Sequence, residues 1–150
     1  KNPILLAQNL RGEEDNVLSG EGAISYAKNK GFEYYSSETK ERREDYMKNL
    51  KSSGMGTVGC VAIDSKGSLA AATSTGGKGF ELPGRVSDSA TVAGNYVNKH
   101  CGVSCTGVGE DIVSGAVAAK IVTRVTDGFS LKDAFSKTFN EFGPCTEIRE

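Results

Sequence analysis

A threonine follows a glycine at Gly56-Thr57, at the head of the apolar run Val58-Gly59-Cys60-Val61-Ala62-Ile63. Eighteen residues on, Thr75 sits inside Thr73-Ser74-Thr75-Gly76-Gly77. A threonine hydroxyl needs a base before it attacks a carbonyl. An N-terminal threonine brings its own, because its α-amine titrates at about 7.7–8.0 and can take the hydroxyl proton. Thr57 is therefore read as a latent nucleophile whose amine is held in the peptide bond to Gly56. The plainer reading is a buried strand that happens to begin with threonine, a common strand residue. A hairpin that brings Thr57 and Thr75 together favours the first.

Two other groupings have residue types suited to a charged substrate. Arg85 and Asp88 lie three apart in Arg85-Val86-Ser87-Asp88-Ser89. An arginine fork takes a carboxylate and an aspartate takes an ammonium, so the pair could hold an α-amino acid. Alone, such a pair is more often a surface ion pair of small worth. Gly107-Val108-Gly109 has glycine-flanked backbone N–H groups opening a helix, the ingredients of an oxyanion site, although such turns are more often structural. The glycine-rich stretches do not match a phosphate loop: Gly76-Gly77-Lys78-Gly79 lacks the GxxxxGK[ST] spacing, and Gly107-Val108-Gly109 lacks a third glycine.

Composition removes other classes. With 150 residues the chain suits one domain with a core of its own, and a net charge of −1 favours neither nucleic acid nor an anionic membrane. No apolar run approaches the roughly 20 residues of a membrane span, and no signal peptide is expected. His100 is the single histidine, and Cys60, Cys101, Cys105 and Cys145 lack CxxC spacing. A zinc site and a Ser-His or Cys-His triad are thereby disfavoured, and neither metal nor cofactor is expected. Isolated cysteines in apolar contexts read as reduced, in a cytoplasmic setting.

The elements that must position these residues follow from spacing. Asn2-Pro3 reads as the cap and first residue of a helix with the stripe Ile4, Leu5, Leu6 and Ala7. Ser19 reads as the cap of a second, running to about Lys30 with Ile24 and Ala27 inward and Gly31 as its stop. Mixed charges from Lys40 to Lys51 predict an exposed helical segment, and Ser52, Ser53, Gly54 and Gly56 a flexible tether. Val58 to Ile63 reads as a strand covered on both faces, Asp64 to Gly67 as a turn, and Ser68 to Thr73 as the return strand. Gly102 to Thr106 reads as a third strand. A single, mostly buried helix is expected from about Glu110 to Val125, with Lys120 and Arg124 on its one solvated edge. Ser130-Leu131-Lys132-Asp133 is a capping box for a last helix with Leu131, Ala134, Phe135, Phe139 and Phe142.

Four of these runs in order, Gly-Thr-Val-Gly-Cys-Val-Ala-Ile-Asp, Ala-Thr-Ser-Thr-Gly-Gly, Pro-Gly-Arg-Val-Ser-Asp-Ser and Cys-Thr-Gly-Val-Gly-Glu-Asp, resemble the plant-type L-asparaginases, or isoaspartyl peptidases. These are N-terminal nucleophile hydrolases, related to glycosylasparaginase and taspase. The resemblance is dense from Thr57 to about Val125 and weaker from Asn2 to Lys30. It implies autocatalytic cleavage between Gly56 and Thr57, followed by hydrolysis of L-asparagine or β-aspartyl dipeptides through a Thr57 acyl-enzyme. It further implies that Thr75 tunes the nucleophile and that Arg85 and Asp88 grip the substrate. Thr106 and Gly107 would then form the oxyanion hole, with Gly109 lining the same pocket.

The implied fold is α+β, the four-layer αββα sandwich, assembled as a dimer of cleaved αβ units. Residues 1–56 would be the end of the α-subunit with a charged linker, and 57–150 the first part of the β-subunit. The sandwich is therefore expected to be incomplete in this chain, with the remaining α- and β-subunit segments as partners. The family's sodium-binding loop is expected outside it. Ser87 stands where the family's loop usually has glycine. Asp88 argues against taspase. A glycosylasparaginase-like hydrolase and a non-catalytic fragment are the alternatives.

Overall fold

The computed structural model describes residues 1–48 and 56–141. They divide into two compact units, one of residues 1–48 and 56 with 76–85 and one of residues 57–75 with 86–141. Helices and antiparallel hairpins are mixed, as expected of an α+β chain. Among the described residues no helix is long and apolar enough to cross a membrane.

Among the described residues the first unit holds three helices. Helix α1 (Pro3–Leu10) begins at a proline, whose fixed φ suits a first turn, and buries Leu10. Asn2 does not cap it by its side chain. Its backbone is left-handed (φ 55°), whereas a capping side chain needs an extended N-cap. Helix α2 (Gly20–Asn29) follows Ser19 and stops at Gly31, which takes φ +79°. There Phe32 N–H donates to Ala27 O at 2.9 Å, satisfying a carbonyl the helix leaves open. Ile24, expected inward, stays 38% exposed on an open cleft shared with Leu6, Ala27 and Phe32.

Tyr26 and Lys30 both donate to Glu13 Oε1 at 2.8 Å, tying α2 to the segment after α1. The Lys30 hydrogen bond holds the Glu13 carboxyl below its ordinary range, with Tyr26 adding to it. The charged segment forms helix α3 (Lys40–Met47), capped by Thr39 Oγ1, which accepts from Arg42 N–H at 3.2 Å. It is exposed, as its charge pattern predicts. Tyr46 stacks on Phe80 with ring centroids 5.9 Å apart. Of the expected charged segment and tether, Lys51, Ser52, Ser53 and Gly54 lie outside the described residues.

Among its described residues the second unit is built on two hairpins. Strands β1 (Thr57–Ile63) and β2 (Leu69–Thr75) are antiparallel, with Thr57 opposite Thr75 and Ile63 opposite Leu69. The turn forms because Asp64 Oδ1 accepts from both Lys66 N–H and Ser68 N–H at 2.8 Å while Gly67 takes φ +82°. Those bonds, that from Ser68 first, hold the Asp64 carboxyl below the usual carboxylate range. Strand β1 was expected to be covered on both faces, yet Val58 is 71% and Ile63 68% exposed. Apart from Thr57, every residue of the strand is exposed. Strands β3 (Asn95–Val97) and β4 (Gly102–Ser104) form the other hairpin.

The single helix expected from 110 to 125 is two: α4 (Gly109–Gly115) and α5 (Val117–Thr126). Ala116 between them is left-handed, φ 48° and ψ 43°. The break frees Ala118 N–H from helical pairing with residue 114, and it donates instead to Ala93 O at 2.8 Å. A tertiary bond thus replaces a local one. Ala93, Ile112, Val117, Ile121 and Ala134 form the core, with Val103, Cys105 and Val125 packed on it.

Ser130 caps helix α6 (Leu131–Asn140), its Oγ accepting from Asp133 N–H at 3.1 Å as the capping box predicts. Of the edge expected to be solvated, Lys120 keeps 40% of its side chain exposed, whereas Arg124 keeps 15% and packs on α6. Lys120 pairs with Glu141 at 3.2 Å, and Arg124 bonds Glu141 and the fully buried Thr138. A cation on an apolar helix meets its acceptors from the neighbouring helix here rather than from water. Of the expected apolar residues of α6, Ala134 is buried, Leu131, Phe135 and Phe139 are exposed, and Phe142 lies outside the described residues.

Candidate active site

The β1–β2 register places the two threonines side by side. Thr57 Oγ1 donates to Thr75 Oγ1 at 3.1 Å, and both residues are half-buried beside the exposed Gly56. Side chains alternate across a strand, and directly opposed residues share a face. Thr57, Gly59 and Val61 therefore share one face with Thr75, Thr73 and Ala71.

Strand β4 lies on that face. A Cβ on Gly59 would stand 2.1 Å from Ser104 Oγ, and a Cβ on Gly102 would stand 2.8 Å from Val61 Cγ1. Each strand thus offers a glycine notch to a side chain of the other. Thr73 and Ser104 hydroxyls share a hydrogen bond of 2.7 Å across the contact.

From β4 the chain passes through Cys105, whose N–H donates to Gly94 O at 2.8 Å, to the exposed Thr106 and Gly107. Gly107 takes φ +154°, a conformation that favours glycine, and the buried Gly109 opens α4. Asp88 is 5% exposed and begins a short 3-10 turn ending at Ala90. Gly94 lies so close that a Cβ there would stand 2.5 Å from the Asp88 backbone and from its Oδ2. Burial, and then the Asp88 charge, push the Cys105 thiol above its ordinary range, so it stays protonated and is a poor nucleophile. Burial pushes Cys101 the same way.

Thr57, Thr75, Asp88, Thr106, Gly107 and Gly109 all belong to the second unit. Arg85 belongs to the first, where its N–H donates to Leu82 O at 3.0 Å. Gly59, Thr73, Ser104 and Gly94 were not among the expected site residues. Period-two alternation from Thr57 and Thr75 points to the first two. The glycine notches are tertiary and leave no local signal.

The chain matches the family described as Asparaginase over residues 1–146. It is 44% identical to an isoaspartyl peptidase/L-asparaginase of Nostoc sp., covering 94% of this chain and 51% of the relative. With a Synechocystis sp. protein of the same name the identity is 45%, over 94% and 48%. With a plant-type L-asparaginase of Pyrococcus furiosus it is 34%, over 97% and 56%. The chain spans about half the length of these curated relatives.

Proposed function

We propose, on the premise that this chain belongs to the asparaginase family, that it carries the nucleophile of an amidohydrolase acting on L-asparagine and β-aspartyl dipeptides. The observation that carries the reading is the Thr57–Thr75 hydroxyl pair at 3.1 Å, beside an exposed Gly56. The names of the relatives, isoaspartyl peptidase and L-asparaginase, agree with that substrate class.

In the continuous chain the Thr57 hydroxyl attacks the Gly56 carbonyl. The tetrahedral adduct collapses with loss of the peptide C–N bond, giving an ester and a free Thr57 amine. Water cleaves that ester and leaves Thr57 as an N-terminus. The amine then accepts the Thr57 hydroxyl proton as Oγ1 attacks the side-chain carbonyl of the substrate. Thr75 Oγ1 orients the hydroxyl. Thr106 and Gly107 stabilise the oxyanion, where each well-placed donor is worth about 2.7–4 kcal/mol. Ammonia or an amino acid leaves with the amine's proton, and water hydrolyses the β-aspartyl ester. Arg85 holds the α-carboxylate, Asp88 the α-ammonium, and Gly109 lines the same pocket.

The rest of the reading follows from the family. Residues 1–56 end an α-subunit, 57–150 begin a β-subunit, each αβ unit is an αββα sandwich once its remaining segments are added, and two such units form a dimer. A reducing cytoplasmic setting fits Cys60, Cys101 and Cys105, which are free cysteines.

Incubated full-length protein on a denaturing gel is expected to give two bands, one of them beginning at Thr57. Thr57→Ala should give one band and release no ammonia; cleavage that persists in this variant overturns the proposal. A preference for glycosylated asparagine over a β-aspartyl dipeptide would move the enzyme to the glycosylasparaginase branch.

A further inference from the structure

We propose that Thr73 and Ser104 are positioning residues, and that their hydrogen bond through the Gly59 notch sets the distance from Thr57 to the Thr106–Gly107 turn. The inference rests on the reading of Thr57 as nucleophile. Thr57 sits two residues before Gly59 on β1, Thr75 two residues after Thr73 on β2, and Thr106 two residues after Ser104. Gly59 and Thr73 are directly opposed in the register, as are Thr57 and Thr75. One step along each strand therefore separates the hydroxyl clamp from the reacting groups.

Three features make the clamp a fixed spacer. The 2.7 Å bond joins the hairpin bearing the nucleophile to the strand that leads into the candidate oxyanion turn. Gly59 lets Ser104 seat without intervening side-chain atoms, since a Cβ would stand 2.1 Å from Oγ and 2.9 Å from Ser104 Cβ. The second notch, Val61 Cγ1 against Gly102, repeats the contact two residues along both strands. Two contacts at one spacing fix both separation and slide. The Gly94 O bond to Cys105 N–H then holds the chain between Ser104 and Thr106. The clamp hydroxyls bond each other while Thr57 Oγ1 bonds Thr75, so the clamp acts through placement. Misplacing reacting groups by about 1 Å can cost on the order of 100-fold in rate.

The test is a double-mutant cycle in the full-length protein with a β-aspartyl dipeptide. Thr73→Val and Ser104→Ala each remove one hydroxyl. Each is expected to lower kcat roughly 10- to 100-fold while KM changes by no more than about twofold. The double variant should lose no more than the worse single one, because both remove the same bond. Thr73→Ser, which restores the hydroxyl, should recover most of kcat. Folded single variants with kcat near wild type overturn the inference, as do losses that multiply or an equal loss with Thr73→Ser. Should Thr73→Val fail to fold, Ser104→Ala carries the test alone, since it deletes one oxygen beside a glycine. Thr57→Ala separates the two readings. Full activity in that variant sinks the nucleophile, whereas an inactive Thr57→Ala beside unaffected clamp variants sinks only the clamp.

Discussion

Gly59→Ala is the substitution that presses hardest on this packing. The added methyl would stand 2.1 Å from Ser104 Oγ and 2.9 Å from Ser104 Cβ. Rotating Oγ away would relieve the first contact only by breaking its 2.7 Å bond to Thr73, and the Cβ contact would remain. Restoring ordinary van der Waals separation therefore requires β4 to move away from β1. Overpacking of this kind costs typically about 1–3 kcal/mol. It would also shift the Thr106–Gly107 turn relative to Thr57, for which a loss on the order of 100-fold in kcat is consistent. Urea denaturation and steady-state hydrolysis by the full-length protein measure the two effects. Ser104→Gly added to Gly59→Ala removes both clashing atoms and should recover stability while leaving kcat low, because the hydroxyl clamp stays broken. Wild-type stability and turnover in Gly59→Ala would refute the close approach of the strands and the reasoning built on it.

Thr75→Val removes the acceptor for the Thr57 hydroxyl and keeps the side-chain shape. Self-cleavage and kcat should both fall by at least the two- to tenfold implied by a net hydrogen bond of about 0.5–1.5 kcal/mol, as followed by gel time course and ammonia release. Thr138→Val strips a fully buried hydroxyl that donates to Ala134 O at 2.7 Å and accepts from Arg124 Nη1 at 2.6 Å. Loss of a bond to a charged group predicts about 1.5–3 kcal/mol of destabilisation by urea unfolding. Asp64→Asn should cost stability at pH 6 and progressively less as the pH falls. The folded carboxyl titrates below its unfolded value of about 3.9, so its contribution is present above that pH and fades below it. A difference between Asp64→Asn and wild type that stays constant from pH 6 to pH 2 would contradict the assigned turn bonds.

What the sequence discloses here is what is held locally. The β1–β2 hairpin was readable because Asp64-Ser65-Lys66-Gly67 carries its own turn chemistry, and the α6 start because Ser130 and Asp133 meet within one turn. The Thr57–Thr75 pairing followed from the hairpin. The break at Ala116 could not be read, since alanine is the best helix former and the bond that compensates it comes from Ala93, over twenty residues away. Arg124 looked like a solvated edge because its acceptors, Thr138 and Glu141, lie on the next helix and at its C-cap. Gly59 passed as an ordinary strand residue because only the arrival of Ser104 shows that a side chain there has no room.

The central claim is that Thr57 forms the covalent intermediate. Full-length protein acid-quenched during turnover of a β-aspartyl substrate, then digested and analysed by mass spectrometry, tests it directly. One β-aspartyl group on the peptide that begins with Thr57 is the expected result. The same group on a different residue, or undiminished hydrolysis by Thr57→Ala, would contradict it.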